Sequence, residues 1–331
     1  MARSTRPGIT DVARLAGVSL STVSRAMNDN PTVDPQLAAR VKTAAAELGY
    51  TANPVARSLV LGQTQTVSVM VPDLANPTFQ TILHGLSRAA APDGYHVLIS
   101  DTAEQVDDEV ALAATTRRRT DGVILCAPRL PQSELTALLP SVAPAVVINR
   151  PQQIDAPTVA ADYEAGTADL IAHLHGLGHR RIAFLSGAVA SASGEARRRA
   201  IAEASRSGDA EFVEITAGVD FDSGAASIDA VVASGSTAVL AFNDLVAMGL
   251  LSAATTRGIR VPDDLSIAGF DDIPFAAYTT PPLTTAAVPA EELGRRAWTA
   301  MHALLTGAQA PASVVLTPEV ILRSSTGPAP R

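Results

Sequence analysis

The sequence lacks the features of a secreted or membrane-bound protein. Cysteine occurs once, as Cys126 in an apolar run at 122–126, so no disulfide can form within the chain. No apolar stretch follows the charged residues at the amino terminus, as it would in a secretory signal. No apolar run approaches the roughly 18 residues needed to cross a bilayer. We therefore expect a protein of the reducing cytoplasm.

Charge is unevenly distributed along the chain. The formal net charge of −8 argues against a nucleic-acid partner for the chain as a whole. Residues 1–62, however, hold seven basic and four acidic side chains and carry +3, which leaves −11 for the remainder. Because the remainder would repel a phosphate backbone, any contact with DNA is expected at the amino-terminal segment.

The length and composition predict more than one folded unit. The chain has 331 residues, of which 47% are hydrophobic and 18% charged, which is typical of a protein that folds throughout. Single hydrophobic cores stop growing near roughly 250–300 residues. Two or three compact units are therefore expected.

The first 50 residues predict three short helices. Thr10 is the predicted N-cap of the first and Ser19 that of the second. The third begins after Asp34, with Pro35 at its first position, and stops at Gly49. A helix, a three-residue turn, a second helix and a bracing helix form the helix-turn-helix arrangement.

The second of these helices has the residues of a recognition helix. It presents short polar side chains and Arg25, and such groups can reach base edges and phosphates in the major groove. Arg25 is the expected reader of guanine. From spacing alone, an ordinary three-helix cap with solvated polar faces remains the alternative.

The rest of the chain alternates strands with helical runs. Seven segments are predicted to be strands: 66–71, 97–100, 122–126, 145–148, 182–185, 238–241 and 266–269. This alternation indicates βαβ units and parallel sheets, and so many strands favour two α/β lobes over one. The run at 53–59 spans about two helical turns, which is too short to fold without a partner.

Over almost its whole length the chain resembles the lactose repressor and galactose repressor (LacI/GalR) family of transcriptional regulators. The matching motifs are ITDVARLAGVS at 9–19, TVSR at 22–25, NPVARSL at 53–59, VPDLANP at 71–77, LGHRRIA at 177–183, AFND at 241–244 and GFDDIP at 269–274. The resemblance implies an all-α helix-turn-helix headpiece, a hinge helix and an α/β core of two parallel-sheet lobes, similar to periplasmic sugar-binding proteins.

The resemblance also implies domain boundaries. The headpiece is expected at 1–50, the hinge helix and linker at 51–64, and the effector-binding and dimerisation core at 65–331. Within the core, the first lobe is expected at about 65–160 plus 289–320 and the second at about 161–288.

The resemblance assigns the DNA contacts to the headpiece and hinge. Leu20 and Ser21 stand at the operator-discriminating positions, where Leu20 offers an apolar contact for a thymine methyl group. Leu59 stands where the family inserts a hinge leucine into the minor groove, beside the small Ala56. The remaining expected DNA-binding residues are Thr10, Thr22, Ser24, Arg25, Asn28 and Asn53.

For the cleft between the lobes, the resemblance points to a ligand site of carboxylates, amides, an arginine and aromatic rings. These types pair with the hydroxyl groups of a sugar or nucleoside. For each of these residues the alternative to a ligand contact is a structural role, as a loop cap or as part of the core. They are Asp73, Asn76, Phe79, Asn149, Arg150, Asp162, Phe242, Asn243 and Asp271.

One position departs from the family pattern. The loop after 186–187 lacks the arginine that the family uses for its effector, and the nearest candidates are Arg197, Arg198 and Arg199. Only one of three consecutive helical residues can point into a cleft, and we favour Arg197. The departure leaves the identity of the ligand open.

The sequence therefore predicts a repressor that binds a pseudo-palindromic operator as a homodimer and is switched by a small polar ligand. No cofactor, catalytic residue or metal site is predicted. An enzyme would have to use the adjacent Asp271 and Asp272, which diverge, or His173 and His175, which lack a third metal ligand at fixed spacing. A cytoplasmic sugar sensor would leave residues 1–60 without a role.

Overall fold

The computed structural model describes residues 7–28, 30–51, 62–151, 153–187, 191–208 and 210–330. Contacts divide the chain into two compact units, Met1–Thr64 and Gln65–Arg331. Within the described ranges, no helix combines the length and the apolar character that a membrane span requires.

The described residues of the first unit form three helices around a small apolar core. Ser19 caps the second helix by accepting a hydrogen bond from the backbone N of Thr22 at 3.1 Å. Asp34 caps the third, which has Pro35 at its first position as predicted. The helices are α1 (Ile9–Ala16), α2 (Leu20–Met27) and α3 (Pro35–Glu47). Their core is Val12, Ala13, Ala16, Val23, Ala26, Val41, Ala44 and Ala45.

The predicted start of α1 is wrong. Gly8, not Thr10, is its N-cap, and Thr10 is an exposed residue of the first turn. The reason is that the Asp11 carboxylate turns back and accepts a hydrogen bond from the backbone N of Gly8 at 3.0 Å. This contact satisfies a free amide at the helix start without a hydroxyl cap.

The second unit contains two six-stranded sheets. The first sheet contains β1 (Thr66–Val71), β2 (His96–Asp101), β3 (Gly122–Cys126), β4 (Ala145–Ile148), β5 (Thr158–Ala161) and β11 (Val314–Leu316). The second contains β6 (Arg181–Ser186), β7 (Glu211–Thr216), β8 (Ala238–Ala241), β9 (Ser266–Asp271), β10 (Thr284–Ala287) and β12 (Glu319–Ile321). The first sheet has the order β11-β5-β4-β3-β1-β2 and is parallel throughout, and the second has the order β12-β10-β9-β8-β6-β7 and ends in one antiparallel pair.

Helices connect these strands in each lobe. Those of the first lobe are α4 (Pro77–Ala90), α5 (Val106–Arg117), α6 (Gln132–Leu138) and α12 (Ala290–Leu305). Those of the second are α7 (Tyr163–Gly176), α8 (Ala192–Ser207), α9 (Phe221–Ala226), α10 (Ile228–Ala233) and α11 (Asp244–Thr256). The α/β core of two lobes and all seven predicted strands are thus confirmed. Five further strands, β5, β7, β10, β11 and β12, were not predicted.

The chain crosses between the lobes three times, after β5, after β10 and after β11. The last crossing lies between Leu316 and Glu319, because β12 pairs with β10 in the second sheet. The first lobe therefore ends a few residues before the expected boundary near 320.

In each lobe, two helices touch backbone to backbone at glycines. A Cβ on Gly85 of α4 would lie 2.2 Å from the carbonyl oxygen of Glu291 in α12, and one on Gly294 of α12 would lie 2.0 Å from the carbonyl oxygen of Ile82 in α4. In the second lobe, Gly224 of α9 and Gly249 of α11 approach each other's helices as closely. No side chain fits at these positions, so each helix pair is held in one packing arrangement.

Candidate functional site

The exposed face of α2 is the candidate DNA-binding surface of the first unit. Leu20 is 49% exposed and Ser21 and Arg25 are exposed, while Val23 and Ala26 are buried beneath them. The Nε of Arg25 donates to the carbonyl oxygen of Ser21 at 3.2 Å, which lays the side chain along the helix. Thr22, Ser24 and Asn28 are partly exposed on the same helix and its C-cap. Asn53, Ala56 and Leu59 lie outside the described residues.

A cavity between the two lobes is the second candidate site. It has about 570 Å³ of empty space when its open mouth is counted. Only about 40 Å³ of it admits the centre of a water-sized molecule, so the cleft is narrow in this conformation. Its lining residues follow the carboxyl ends of strands in both sheets, where ligands of parallel α/β folds bind. They include Asp73, Asn76, Thr78, Phe79, Glu104, Arg129, Asn149, Tyr163, Ser193, Arg197, Phe242, Asn243 and Asp271.

The structure brings together eight of the ten residues that the sequence assigned to the cleft. Arg150 and Asp162 lie beside the cavity, in an adjoining pocket. Arg150 donates to the carbonyl oxygens of Pro128 and Leu130, and Asp162 caps α7 by accepting from Ala165 N. Both side chains therefore have protein partners that hold strand ends in place.

The two amides in the cleft are also engaged by the protein. Asn149 accepts from Ala161 N at 3.0 Å and donates to the Tyr163 hydroxyl at 2.9 Å. Asn243 caps α11 and donates to the carbonyl oxygen of Val219 at 2.9 Å. The contacts of Asn149 join the ends of the neighbouring strands β4 and β5, and that of Asn243 joins the end of β8 to the segment after β7. Both amides therefore fix the shape of the cleft.

Arg197 is the one of the three candidate arginines that lines the cavity. It is 2% exposed, and its guanidinium carbon lies within 4.2–4.7 Å of three aromatic ring centroids. Its Nε and one terminal nitrogen have no hydrogen-bond partner. Burial lowers the pKa of the guanidinium, although nearby Asp271 opposes the shift. Arg198 instead pairs with Glu195 and Glu214, and Arg199 with Glu164.

Asp271 ends β9 and projects into the same cavity. Its carboxylate accepts a hydrogen bond from the Thr78 hydroxyl at 2.8 Å. Burial raises the pKa of Asp271 to about 6, while Arg197 and the Thr78 hydrogen bond act in the opposite direction. The group is therefore mostly ionised at pH 7 but easily protonated below pH 6.

An ion pair that the sequence did not predict forms one wall of the cleft. Arg129 donates to both carboxylate oxygens of Glu104 at 2.7 Å, and its side chain is only 7% exposed. The bidentate hydrogen bonds raise the pKa of Arg129 against the opposing effect of burial. Glu104 follows β2 and Arg129 follows β3, both at the carboxyl edge of the first sheet, and that position was the available signal.

Backbone strain is concentrated at the cleft. Among the described residues other than glycine, seven have positive φ; four of these line the cavity, and six end or follow strands of the two sheets. Such conformations cost of order 1–3 kcal/mol each and collect at functional sites. They are Ala103, Glu104, Ala127, Asn149, Asp271 and Asp272.

The chain matches two family models. Residues 8–53 match the model of bacterial regulatory proteins of the lacI family, and residues 171–326 match a periplasmic binding protein-like domain. The HTH-type transcriptional repressor CytR of Escherichia coli is 32% identical over 96% of this chain and 95% of that protein. Catabolite control protein A of Priestia megaterium is 30% identical over 96% and 98%.

A solved structure is similar over the whole length. The lac repressor dimer bound to operator and the anti-inducer ONPF has a TM-score of 0.89 and 28% identity, covering 98% of this chain and 100% of that one. These relatives are transcriptional regulators and not enzymes, and they confirm the resemblance derived from the motifs. The chain belongs to the lacI family of bacterial regulatory proteins.

Proposed function

We propose that the cleft binds an uncharged polyhydroxylated ligand, a sugar or a nucleoside, through Arg197 and Asp271. The chain is a DNA-binding transcriptional repressor of a family that is regulated by small-molecule effectors. We expect such an effector to bind in the cleft, because ligands of this kind of fold bind at the strand ends between the lobes.

The observation that carries this proposal is a pair of opposite charges held apart in the cleft. Arg197 and Asp271 interact electrostatically but form no direct ion pair among the described residues. A hydroxyl group can accept from a guanidinium and donate to a carboxylate, so two neighbouring hydroxyls satisfy both groups. A phosphate accepts only, and would also face the carboxylates of Asp73 and Glu104.

The apolar part of the lining fits the same class of ligand. Phe79 and Phe242 line the cavity with ring surface, on which the C–H face of a sugar or the plane of a base can pack. Two similar solved structures are complexes with sugars. One is a transcriptional regulator CelR–cellobiose complex, with 28% identity and a TM-score of 0.70. The other is a LacI family regulator from Enterococcus faecium with bound ribose, with 25% identity and a TM-score of 0.70.

For DNA, we propose that α2 enters the major groove, with Arg25 reading guanine and Leu20 contacting a thymine methyl group. A homodimer presents two such helices, so its operator is pseudo-palindromic. The further DNA contacts remain predictions. In the headpiece they are those of Thr10, Ser21, Thr22, Ser24 and Asn28, and in the hinge those of Asn53, Ala56 and Leu59. Because its target is chromosomal DNA, we propose that the protein acts in the cytoplasm.

The two sites are coupled if the ligand prefers one orientation of the lobes. The ligand then changes operator affinity by the difference between its affinities for the two orientations. A coupling free energy of about 1–3 kcal/mol, or about 5- to 150-fold in affinity, is typical.

The test is selection of random duplexes by the purified full-length protein at about 150 mM salt, followed by operator titrations with and without ligand. We expect a palindromic motif, and a change in operator affinity with at least one compound from a panel of D-ribose, cellobiose, other neutral sugars and nucleosides. Sugar phosphates serve as the charged controls. Recovery of no motif would overturn the DNA assignment, and a response to sugar phosphates alone would overturn the ligand class.

A further inference from the structure

One hydrogen bond in the cleft joins the two lobes directly. Thr78 belongs to the first turn of α4 in the first lobe, and Asp271 ends β9 in the second. The Thr78 hydroxyl donates to the Asp271 carboxylate at 2.8 Å, and both residues line the cavity. The residues are 193 positions apart in sequence, so the contact depends on how the lobes are placed.

Both ends of this contact are fixed by their own lobe. Asn76 caps α4 by accepting from Thr78 N at 2.9 Å, and Thr78 is 6% exposed. The helix that carries it is packed backbone to backbone on α12 at Gly85. On the other side, the carbonyl oxygen of Asp271 accepts from Val288 N at 3.2 Å. Neither group can follow the other when the lobes move apart.

The Thr78 hydroxyl also occupies an acceptor site on the Asp271 carboxylate that a ligand hydroxyl could use. Among the residues that the structure describes, it supplies the one hydrogen bond that the Asp271 carboxylate accepts. A sugar hydroxyl is the same kind of donor. The carboxylate keeps further acceptor sites, but the cleft is too narrow for a sugar in this conformation. A sugar enters only when the lobes move apart, and that movement breaks the hydrogen bond between Thr78 and Asp271.

We propose that Thr78 is an internal competitor for the effector: its hydroxyl links Asp271 across the cleft, and the ligand displaces it on binding. The inference rests on the proposed function, since it assumes that Asp271 holds ligand hydroxyls. Its consequence is that, without ligand, a contact within the cleft holds the lobes together. Ligand affinity is reduced by the free energy needed to break that contact.

The test uses Thr78→Val in the full-length protein, which removes the hydroxyl and keeps the shape. Thr81→Val is the matched control, because the Thr81 hydroxyl donates only within its own helix, to Pro77 at 3.0 Å. Thr78→Ser keeps the hydroxyl and should behave as the parent protein. If Thr78→Val does not fold, Thr78→Ala serves in its place against the same Ser variant.

The first measurement is hydrogen exchange of the ligand-free proteins. We expect faster exchange at 72–83 and 268–274 in Thr78→Val, and exchange at the parent rate in Thr81→Val and Thr78→Ser. Parent-like exchange in Thr78→Val would mean that the hydrogen bond does not hold the lobes.

The second measurement is calorimetric titration with D-ribose and cellobiose. We expect Thr78→Val to bind whichever sugar binds the parent up to about tenfold more tightly, because nothing has to be displaced. A merely structural role would weaken binding, and weaker or equal binding overturns the proposal. If neither sugar binds any variant, the proposed ligand class is in question, while the exchange measurement still decides whether Thr78 links the lobes.

Discussion

The guanidinium carbon of Arg197 lies 4.2 Å from the centroid of the Phe270 ring. The rings of Phe242 and Tyr163 lie at 4.5 and 4.7 Å, so the cation is surrounded by aromatic surface. Cation–π attraction offsets part of the cost of removing the charge from water. It does not satisfy the two guanidinium nitrogens that lack partners. Such an arrangement costs stability, and it supports the proposal that a ligand completes the hydrogen bonding of Arg197.

Replacing Arg197 by methionine should therefore separate stability from regulation. At pH 5, where Asp271 is mostly protonated and loses little when the nearby cation is removed, we expect Arg197→Met to raise the free energy of unfolding by about 1–3 kcal/mol, because it removes unsatisfied buried donors. The ligand should no longer change operator affinity. Arg198→Met is the control: Arg198 forms ion pairs on the surface of the second lobe, so both quantities should stay within about 0.5 kcal/mol of the parent. Denaturant unfolding and operator titration give the two readings, and a destabilised Arg197→Met that still responds would contradict the assignment.

The raised pKa of Asp271 makes stability depend on pH. Its pKa of about 6 in the folded protein exceeds the ordinary value of 3.8, so the folded state binds the extra proton between these values. Stability from this group therefore falls as pH rises from about 4 to 6, and the full cost is present above pH 6. Asp271→Asn cannot ionise and can still accept the Thr78 hydrogen bond.

We expect the stability of Asp271→Asn relative to the parent to increase by about 1–2 kcal/mol between pH 4.5 and pH 7.5. Urea unfolding at a series of pH values measures this difference. Asp73→Asn, which removes another carboxylate that lines the same cleft, is the control for the loss of one negative charge. A pH-independent difference for Asp271→Asn would show that its carboxyl titrates as it does in water.

The sequence predicted some parts of the molecule better than others, for physical reasons. The buried strand at 122–126 is uniformly apolar, and burial on both faces makes such a run visible from composition. By contrast, β7 at Glu211–Thr216 lies at a sheet edge with half its residues exposed, and its two glutamates, three positions apart, interrupt the apolar pattern of a strand. The three-residue strands β11 and β12 are shorter than any pattern can define.

The candidate site shows the same limit. Asp271 and Asn243 follow strands within recognisable motifs, so their common location could be predicted. Glu104 and Arg129 are 25 residues apart and belong to no motif, and only the folded sheet brings them within hydrogen-bonding distance. The start of α1 was misplaced because the Asp11 side chain, not that of Thr10, caps the free amide.

The glycine contact between α4 and α12 gives a further prediction. A Cβ on Gly85 would lie 2.2 Å from a backbone oxygen, so Gly85→Ala must push the two helices apart. We expect a loss of about 1–3 kcal/mol in unfolding free energy, since overpacking outweighs the gain in helix propensity. Gly176→Ala is the matched control: nothing lies within 4 Å of its Cβ position, and it should gain up to about 1 kcal/mol. Thermal unfolding of both variants measures these changes in stability. Changes of the same sign in Gly85→Ala and Gly176→Ala would contradict the close packing of α4 on α12.

Arg25 provides the prediction that separates base reading from general attraction to DNA. Its side chain lies exposed along α2, held by Ser21, where a bidentate contact with guanine can form. We expect Arg25→Ala to cost about 1–3 kcal/mol in operator binding and to remove the preference at one base pair in each half-site. Arg25→Lys keeps the charge but loses the forked guanidinium, so it should restore affinity without restoring the base preference.

Arg206→Ala is the control, because Arg206 is an exposed arginine of α8 that pairs with Glu203. Repeating the duplex selection with each variant gives the base preferences directly, and an unchanged motif for Arg25→Ala would assign the reading of guanine to another residue.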